Sequence, residues 1–272
     1  MEFNDLTVMI TGAAGLLGRA SARSFAQAGA RVLLFDCDPS GLDNYVRSLK
    51  EAGLERVLGM VGDVRSASSI QSALATLPAA WRPVRILVNF AGFPKNTPFL
   101  EISESEWNEV FDVNVKGTFL TCQAIANNLA ESGCSGAIVN ISSIAAMSAR
   151  PGSVHYSASK AAVSMLTETL ALDLAPYNIR VNAVAPGVVL DRVIDQSEAD
   201  SLTNRYERET VSAVPLGRTG DPAEVAEAVL FLASERRAGW ITGTVLSVTG
   251  GMHCGRTTQS VGGSLTSEED HC

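Results

Sequence analysis

The sequence predicts an α/β fold, a single doubly wound domain whose mostly parallel sheet has seven strands. Short runs of apolar residues alternate with segments of helical periodicity from one end of the chain to the other. Nearly all-apolar strands separated by helices are typical of a parallel sheet that is buried on both faces. The 272 residues suffice for one large domain. Because no linker rich in Pro, Gly or Ser divides the chain, residues 1–252 are expected to fold as one unit.

The strands are predicted from the apolar runs, and the helices from the periodicity between them. In the first intervening segment, for example, Leu17, Ala20, Phe25 and Ala28 fall on one face of a helix. The predicted strands are Thr7–Ile10, Arg31–Phe35, Arg56–Val61, Ile86–Asn89, Ala137–Ile141, Arg180–Ala185 and Thr244–Val248.

Two segments interrupt this alternation. Residues 187–212 form a long, charged stretch between a strand and a helix, and such insertions often cover a site, so a substrate lid is predicted there. Residues 253–272 turn to Gly, Ser, Thr and acidic residues without periodicity, which predicts a flexible C-terminal tail.

Composition narrows the class of protein. Hydrophobic residues make up 46% and charged residues 18%, which excludes a disordered chain. A net charge of −8 without a dense Lys/Arg block argues against a nucleic-acid partner. No stretch approaches the roughly 20 apolar residues of a membrane span, and the acidic start lacks the plan of a signal peptide. Five cysteines without a pairing pattern indicate reduced thiols in the cytoplasm. A metal site is not predicted, because the sequence shows no set of four ligands at tetrahedral spacing.

A glycine-rich turn follows the first predicted strand directly and opens the first helix, from Thr11 to Gly18. Glycines let the backbone approach a pyrophosphate, whose charge is met by the N–H groups at the helix N-terminus. This strand–turn–helix arrangement is typical of the dinucleotide-binding Rossmann fold. The candidate cofactor-binding residues in the turn are Gly12, Gly15, Leu17 and Gly18.

The second strand ends in an acid, Asp36, placed 18 residues after Gly18. A carboxylate at this position accepts hydrogen bonds from both hydroxyls of the adenosine ribose and repels a 2′-phosphate. Ala13, Ala14 and Cys37 offer no cation to hold such a phosphate. The cofactor is therefore predicted to be NAD rather than NADP.

Further candidates for cofactor binding follow the third and fourth strands. The carboxyl ends of parallel strands share one edge of the sheet, and ligands of open α/β folds bind there. These candidates are Asp63, Val64, Asn89, Ala91 and Gly92.

Tyr156 and Lys160 stand at positions i and i+4, on one face of a predicted helix. Hydride transfer between an alcohol and nicotinamide requires a proton to move at the oxygen, but free tyrosine titrates near pH 10. A neighbouring Lys⁺, together with the positive nicotinamide ring, favours phenolate and lowers that pKa. Ser143, after the fifth strand, can hold the substrate oxygen beside the phenol. His155 is expected to face away from the reacting atom, because adjacent helical residues point about 100° apart.

Over about residues 5–252 the sequence resembles the compact, single-domain branch of the short-chain dehydrogenase/reductase superfamily. The resemblance is carried by blocks spread along the chain. These are Thr11 to Gly18, Asp63-Val64, Asn89 to Gly92, Asn114 between two valines, Ile141-Ser142-Ser143, Tyr156 to Lys160, Pro186-Gly187, Pro215 to Arg218, and Ile241 to Gly251.

The resemblance implies roles for four catalytic positions. Ser143 would orient the substrate carbonyl or hydroxyl, and Tyr156 would act as the acid/base. Lys160 would bind the nicotinamide ribose and tune Tyr156. Asn114 would support a water relay that returns the proton to solvent.

It also implies cofactor contacts at both ends of the dinucleotide. Asp63 would lie by the adenine and Asn89 by the adenosine ribose. Pro186-Gly187 would lie at the nicotinamide end. The chain has Asp191 where the family usually has a threonine that contacts the carboxamide, so this contact is assigned to the backbone of Val189.

The leading hypothesis is an NAD-dependent oxidoreductase that moves a hydride between a small secondary alcohol or ketone and nicotinamide. One alternative is an NADPH-dependent carbonyl or 3-oxoacyl-thioester reductase, and the other is a non-catalytic nucleotide-binding module on the same fold. The retention of all four catalytic positions argues against the second alternative. The family resemblance implies a homotetramer, or else a homodimer.

Overall fold

A computed structural model describes residues 1–195 and 211–255 of the chain. Within them, seven strands form one sheet in the order β3-β2-β1-β4-β5-β6-β7, and every neighbouring pair is parallel. The strands are β1 (Thr7–Thr11), β2 (Arg31–Asp36), β3 (Val57–Val61), β4 (Val84–Asn89), β5 (Gly136–Ile141), β6 (Ile179–Pro186) and β7 (Val245–Val248).

Helices connect the strands and cover both faces of the sheet. One connection contains a six-residue π-helical segment, Asp112–Gly117, between two α-helices. The α-helices are α1 (Leu16–Gln27), α2 (Pro39–Glu51), α3 (Ala67–Ala75), α4 (Glu104–Phe111), α5 (Thr118–Ser132), α6 (Val154–Leu174), α7 (Pro222–Ala233) and α8 (Glu235–Ala238).

The predicted fold class is confirmed, and each predicted strand differs from the observed one by no more than two residues at either end. The sheet is wholly parallel rather than mostly parallel, because a helical crossover links each consecutive pair of strands whose connection is fully described. The lid predicted over 187–212 and the tail predicted over 253–272 lie largely outside the described residues and stay predictions.

Side chains of β1 to β6 enter two separate hydrophobic cores. On β1, Val8 and Ile10 face the core beneath α1, α2 and α7, whereas Met9 faces the core beneath α3, α5 and α6. All three side chains are fully buried. Burial on both faces explains why these strands read in the sequence as continuous apolar runs rather than as alternating patterns.

The position of β1 locates the place where a ligand can bind. β1 pairs with β2 on one side and with β4 on the other, so the crossover from β1 to β2 and the crossover from β3 to β4 run in opposite directions along the sheet. A crevice opens outside the carboxyl ends of the strands at such a switch point. Among the described residues, no helix is both long enough and apolar enough to cross a membrane.

Candidate active site

The turn between β1 and α1 is built for close backbone approach. Gly12 has φ +63°, and a Cβ added to it would lie 2.6 Å from the backbone nitrogen of Ala91. A Cβ on Gly18 would collide with the carbonyl oxygen of Gly12. Gly15 begins α1 as an N-cap that has no side chain to cap the first N–H groups. These donors and the bare glycine surface fit the pyrophosphate of a dinucleotide.

Asp36 ends β2 beside this turn. Its Oδ2 accepts a hydrogen bond from the backbone N–H of Ala14 at 2.8 Å, and its Oδ1 accepts one from Asp38 N–H at 2.9 Å. These two bonds orient the carboxylate without a counter-cation. An oriented, partly exposed carboxylate at the end of the second strand can accept hydrogen bonds from ribose hydroxyls.

A cleft of about 500 Å³ opens between the turn and the ends of β2, β3 and β4. Its described lining contains four carboxylates, Asp36, Asp38, Asp63 and Glu109, and a single cation, Arg65. Arg65 donates to both oxygens of Asp63, with Nη2 2.7 Å and Nε 2.9 Å from Oδ2. These hydrogen bonds hold the pKa of Asp63 below its usual value. The one cation is thus already paired, and the cleft is acidic.

Sequence analysis predicted seven of the lining residues and missed the others, among them Arg65 and Glu109. Arg65 directly follows the predicted pair Asp63-Val64 but was given no role, and Glu109 comes from α4, whose packing brings it to the cleft. The predicted residues that line the cleft are Gly12, Gly15, Asp36, Asp63, Val64, Ala91 and Gly92. Two predicted residues lie beneath the turn, where Leu17 packs against the core and Gly18 is buried.

Asn89 lies under the cleft rather than on its surface. Its side chain is 3% exposed and its amide nitrogen donates to Asn140 at 2.9 Å. Its amide oxygen accepts from Thr121 at 2.8 Å. Because both ends of the amide are engaged within the protein, the side chain is held beneath the cleft, and its contact with the adenosine ribose stays a prediction.

The residues predicted for the nicotinamide end follow β6 at the same edge of the sheet. Pro186 is the last residue of β6, and the N–H of Gly187 donates to Val248 O at 2.9 Å. Val189 forms an isolated bridge with Gly220 and lines a second cavity of about 290 Å³. None of the three lines the larger cleft.

Tyr156 and Lys160 lie in the first two turns of α6. The Nζ of Lys160 is 5.8 Å from the centre of the Tyr156 ring and donates to Ile141 O at 2.8 Å. Gly92 connects this pair with the cleft, since a Cβ on Gly92 would lie 3.5 Å from Nζ and 3.6 Å from Asn114 Oδ1. Gly92 therefore lines the cleft and lies within contact distance of Lys160 and Asn114.

Burial dominates the electrostatics of this pair. Lys160 is 4% exposed, and desolvation lowers its pKa from 10.5 to about 8. Desolvation also raises the pKa of Tyr156, opposed by the Ser143 hydroxyl and by the charge of Arg150. The sequence predicted the opposite direction for Tyr156. The difference arises because Lys160 directs its ammonium to Ile141 O, and because the charge of an oxidised nicotinamide belongs to the complex.

Ser143 and Asn114 complete the predicted catalytic set. Ser143, at the end of β5, accepts a hydrogen bond from Ala145 N–H at 3.1 Å. Asn114 is fully buried in the π-helical segment, and its Oδ1 accepts from Phe93 N–H at 2.7 Å. Its Nδ2 donates to Ser159 Oγ at 2.9 Å. All four predicted catalytic residues are thus brought together. The water relay through Asn114 stays a prediction.

His155 turns its ring towards α4, as adjacent helical positions predict. It is fully buried, and its Nε2 lies 2.9 Å from Oε1 of Glu106. Sequence reasoning gave Glu106 no role in the site. Among the described residues, no group of three or more His, Cys, Asp or Glu side chains could hold a metal ion.

The chain is similar to known proteins over most of its length. A family model described as enoyl-(acyl carrier protein) reductase matches residues 12–253. The (3R)-3-hydroxyacyl-CoA dehydrogenase of Canis lupus familiaris is 37% identical over 93% of this chain and 98% of its own. The 3-oxoacyl-(acyl-carrier-protein) reductase FabG of Thermotoga maritima is 35% identical, covering 93% and 99%. Glucose 1-dehydrogenase 2 of Bacillus subtilis is 35% identical, covering 92% and 96%.

The fold is also shared with a solved protein. The crystal structure of gox2181 superposes with a TM-score of 0.82 at 30% identity, covering 93% of this chain and 97% of that one. The family match and the full-length relatives are consistent with this likeness. The chain belongs to the short-chain dehydrogenase/reductase family, whose oxidoreductases act on small molecules and bind a nicotinamide cofactor, NAD or NADP.

Proposed function

We propose that this protein is an NAD-dependent dehydrogenase that moves a hydride between a secondary alcohol or ketone and nicotinamide. The observation that carries the proposal is the adjacency of the acidic cleft to the Tyr156–Lys160 pair, with Gly92 between them. A pure nucleotide-binding module has no chemical need for a buried lysine beside a tyrosine.

Tyr156 is the proposed acid/base. In the oxidising direction its phenolate takes the proton from the substrate hydroxyl as the C–H hydride leaves, so the phenol is regenerated in neutral form. Bound NAD⁺ supplies the hydride acceptor. Ser143 holds the substrate oxygen by a hydrogen bond, and Lys160 places a positive charge near the phenolate. Asn114 keeps the Phe93 backbone and Ser159 in place around them.

The turn and cleft residues would hold the dinucleotide. Gly12, Gly15 and the N-terminus of α1 suit the pyrophosphate, and Asp36 suits the adenosine ribose. NAD is preferred to NADP because the four carboxylates that line the cleft would repel a 2′-phosphate. The single cation in the described lining, Arg65, already pairs with Asp63 and offers the phosphate little compensation. At the other end, Val189 and Pro186-Gly187 stay the proposed contacts of the carboxamide.

For the substrate we propose 3-hydroxyacyl or 3-oxoacyl thioesters as the class to test. The support is that two of the three relatives above carry such names, (3R)-3-hydroxyacyl-CoA dehydrogenase and 3-oxoacyl-(acyl-carrier-protein) reductase. The second name also supports a second candidate, NADPH-dependent reduction of the same thioesters. The acidic cleft favours the first.

Two variants and two cofactors separate these possibilities. Tyr156→Phe is expected to abolish NADH-dependent reduction of acetoacetyl-CoA while the affinity for NADH, titrated by fluorescence, stays close to that of the wild type. Tyr177→Phe, an exposed tyrosine outside the site, is the matched control and should retain full activity. Activity in Tyr156→Phe would contradict the assigned base. Tighter binding of NADPH than of NADH would contradict the choice of NAD.

We also propose that the protein is a cytoplasmic homotetramer, or else a homodimer. All four cysteines within the described residues are free, which suits a reducing compartment. The outer face of α6 exposes Met165 and Leu172, at 60% and 77%, and α5 exposes Phe119. Apolar groups of this size on neighbouring helices are typical of surfaces that pack against another subunit.

A further inference from the structure

The helix that carries Tyr156 and Lys160 begins without a side-chain cap. The residue before it, Ser153, makes no side-chain hydrogen bond to the N–H groups of the first turn, and that turn contains no acid. The Ser153 hydroxyl instead contacts Arg150 O and Ser157 Oγ. Local sequence therefore does little to fix the first turn of α6, and contacts with other elements must position it.

The contact available in this turn is made by His155. Its side chain is fully buried, and Nε2 lies 2.9 Å from Oε1 of Glu106 on α4. A carboxylate can only accept, so Nε2 carries the hydrogen of this bond. Nδ1 has no hydrogen-bond partner among the described residues. The bond to Glu106 is thus the single polar interaction found for this buried ring.

Glu106 makes this bond instead of the local capping contact that its position in α4 would allow. Ser103 and Glu106 have the spacing of a capping box, and Ser103 Oγ accepts from Glu106 N–H at 3.1 Å. In the capping box of α7, the Glu224 carboxylate returns to the backbone N–H of Asp221 at 2.8 Å. In α4 no such return is made, and the carboxylate reaches His155, 49 residues away in the chain.

The same carboxylate reaches the loop that follows β4. Hydrogen bonds from Thr97 and His155 hold the pKa of Glu106 below its ordinary value. The backbone N–H of Thr97 also donates to Gly152 O, just before α6, at 2.8 Å. Glu106 therefore joins three segments around the catalytic tyrosine, namely the loop, α4 and the first turn of α6.

We propose that Glu106 and His155 are positioning residues for Tyr156. Their hydrogen bond fixes the first turn of α6 and thereby sets where the neighbouring phenol lies relative to Ser143. This inference rests on the proposed function of Tyr156 as acid/base. Displacement of a catalytic group by about 1 Å can lower turnover by up to roughly 100-fold, so loss of the bond should act on kcat.

The test compares variants that remove the bond with variants that keep it. His155→Leu and Glu106→Leu remove one partner, whereas His155→Gln and Glu106→Gln retain a donor and an acceptor. Glu104→Leu removes an exposed acid of the same first turn of α4 and is the matched control. With acetoacetyl-CoA and NADH, the leucine variants should lose about 10- to 100-fold in kcat with little change in the KM for NADH. The glutamine variants should recover most of that loss.

A second readout does not depend on turnover. Ionisation of Tyr156 is followed by ultraviolet difference titration against Tyr156→Phe, and the leucine variants should raise its pKa by about one unit through a weakened Ser143 contact. The double leucine variant should lose no more than the worse single one. Thermal unfolding of each variant identifies any that fail to fold. If the leucine variants fail, the kcat of His155→Gln and Glu106→Gln relative to the wild type tests the inference.

Wild-type kcat and an unchanged Tyr156 titration in the leucine variants would overturn the inference. So would glutamine variants as impaired as the leucine ones, since packing rather than the hydrogen bond would then be responsible. If Tyr156→Phe itself stays active, the proposed function fails instead. The two failures are therefore distinguishable.

Discussion

Gly12 and Gly133 have the same φ of +63°, but their surroundings differ. A Cβ on Gly12 would lie 2.6 Å from Ala91 N, whereas a Cβ on Gly133 would meet nothing within 4 Å. Gly12→Ala and Gly133→Ala should therefore share a left-handed backbone penalty of about 1–2 kcal/mol in the free energy of unfolding. Gly12→Ala alone should also push β4 from the turn and weaken NADH binding about tenfold or more.

Urea unfolding and fluorescence titration of NADH measure the two effects separately. Equal NADH affinity in both variants would mean that the close approach of Gly12 to Ala91 does not shape the cofactor site.

At the residue scale the sequence predicted the turn well, because a glycine directly after a strand and before a helix marks a positive φ or a close backbone approach. The sequence did not reveal the internal hydrogen bonds of Asn89, because its buried partners on β5 and α5 come from distant parts of the chain.

At the scale of the element, the side chain of Asn114 joins the π-helical segment Asp112–Gly117 to Phe93, after β4, and to Ser159 on α6. Removing this amide by Asn114→Ala leaves the partly buried Phe93 N–H without its 2.7 Å acceptor and the fully buried Ser159 hydroxyl without its 2.9 Å donor. An unsatisfied buried donor costs about 1–3 kcal/mol, so the free energy of unfolding should fall by about that amount. Asn108→Ala, an exposed position of α4, is the control and should change it by less than about 0.5 kcal/mol.

Denaturant unfolding of both variants makes this comparison, and equal stabilities would show that the Asn114 contacts make no net contribution to the free energy of unfolding.

Asn114 was identified in the sequence through the family resemblance, and the π-helical geometry around it was not foreseen. The strands were predicted within two residues because burial on both faces leaves continuous apolar runs. The Ser103–Glu106 spacing, by contrast, indicates a local cap, and only packing against α6 explains why the carboxylate goes elsewhere.

At the scale of the molecule, the sheet separates two layers of helices. The layer of α1, α2 and α7 and the layer of α3, α5 and α6 each cover a buried core. The fold class was predictable because it depends on this simple pattern of burial. The cleft was predictable only in part, because Glu109 reaches it through the packing of α4, which no local pattern encodes.

The outer face of α6 provides the test of assembly. Met165 and Leu172 are two turns apart on the same side of the helix, and both are well exposed. If this face packs against another subunit, the double variant Met165→Glu, Leu172→Glu places two unpaired carboxylates in the interface. Their burial is unfavourable, so the oligomer should dissociate. The mass measured by light scattering should then fall from that of a tetramer or dimer towards the 28.6 kDa of one chain.

Asn44→Glu, on the exposed side of α2 in the opposite layer, adds a charge without touching this face and should leave the mass unchanged. A monomeric wild type would contradict the proposed assembly outright. An assembled double variant would mean that subunits meet elsewhere. Because α6 also carries Tyr156 and Lys160, dissociation through its outer face should lower turnover as well as mass, which ties the assembly of the molecule to the rigidity of its catalytic helix.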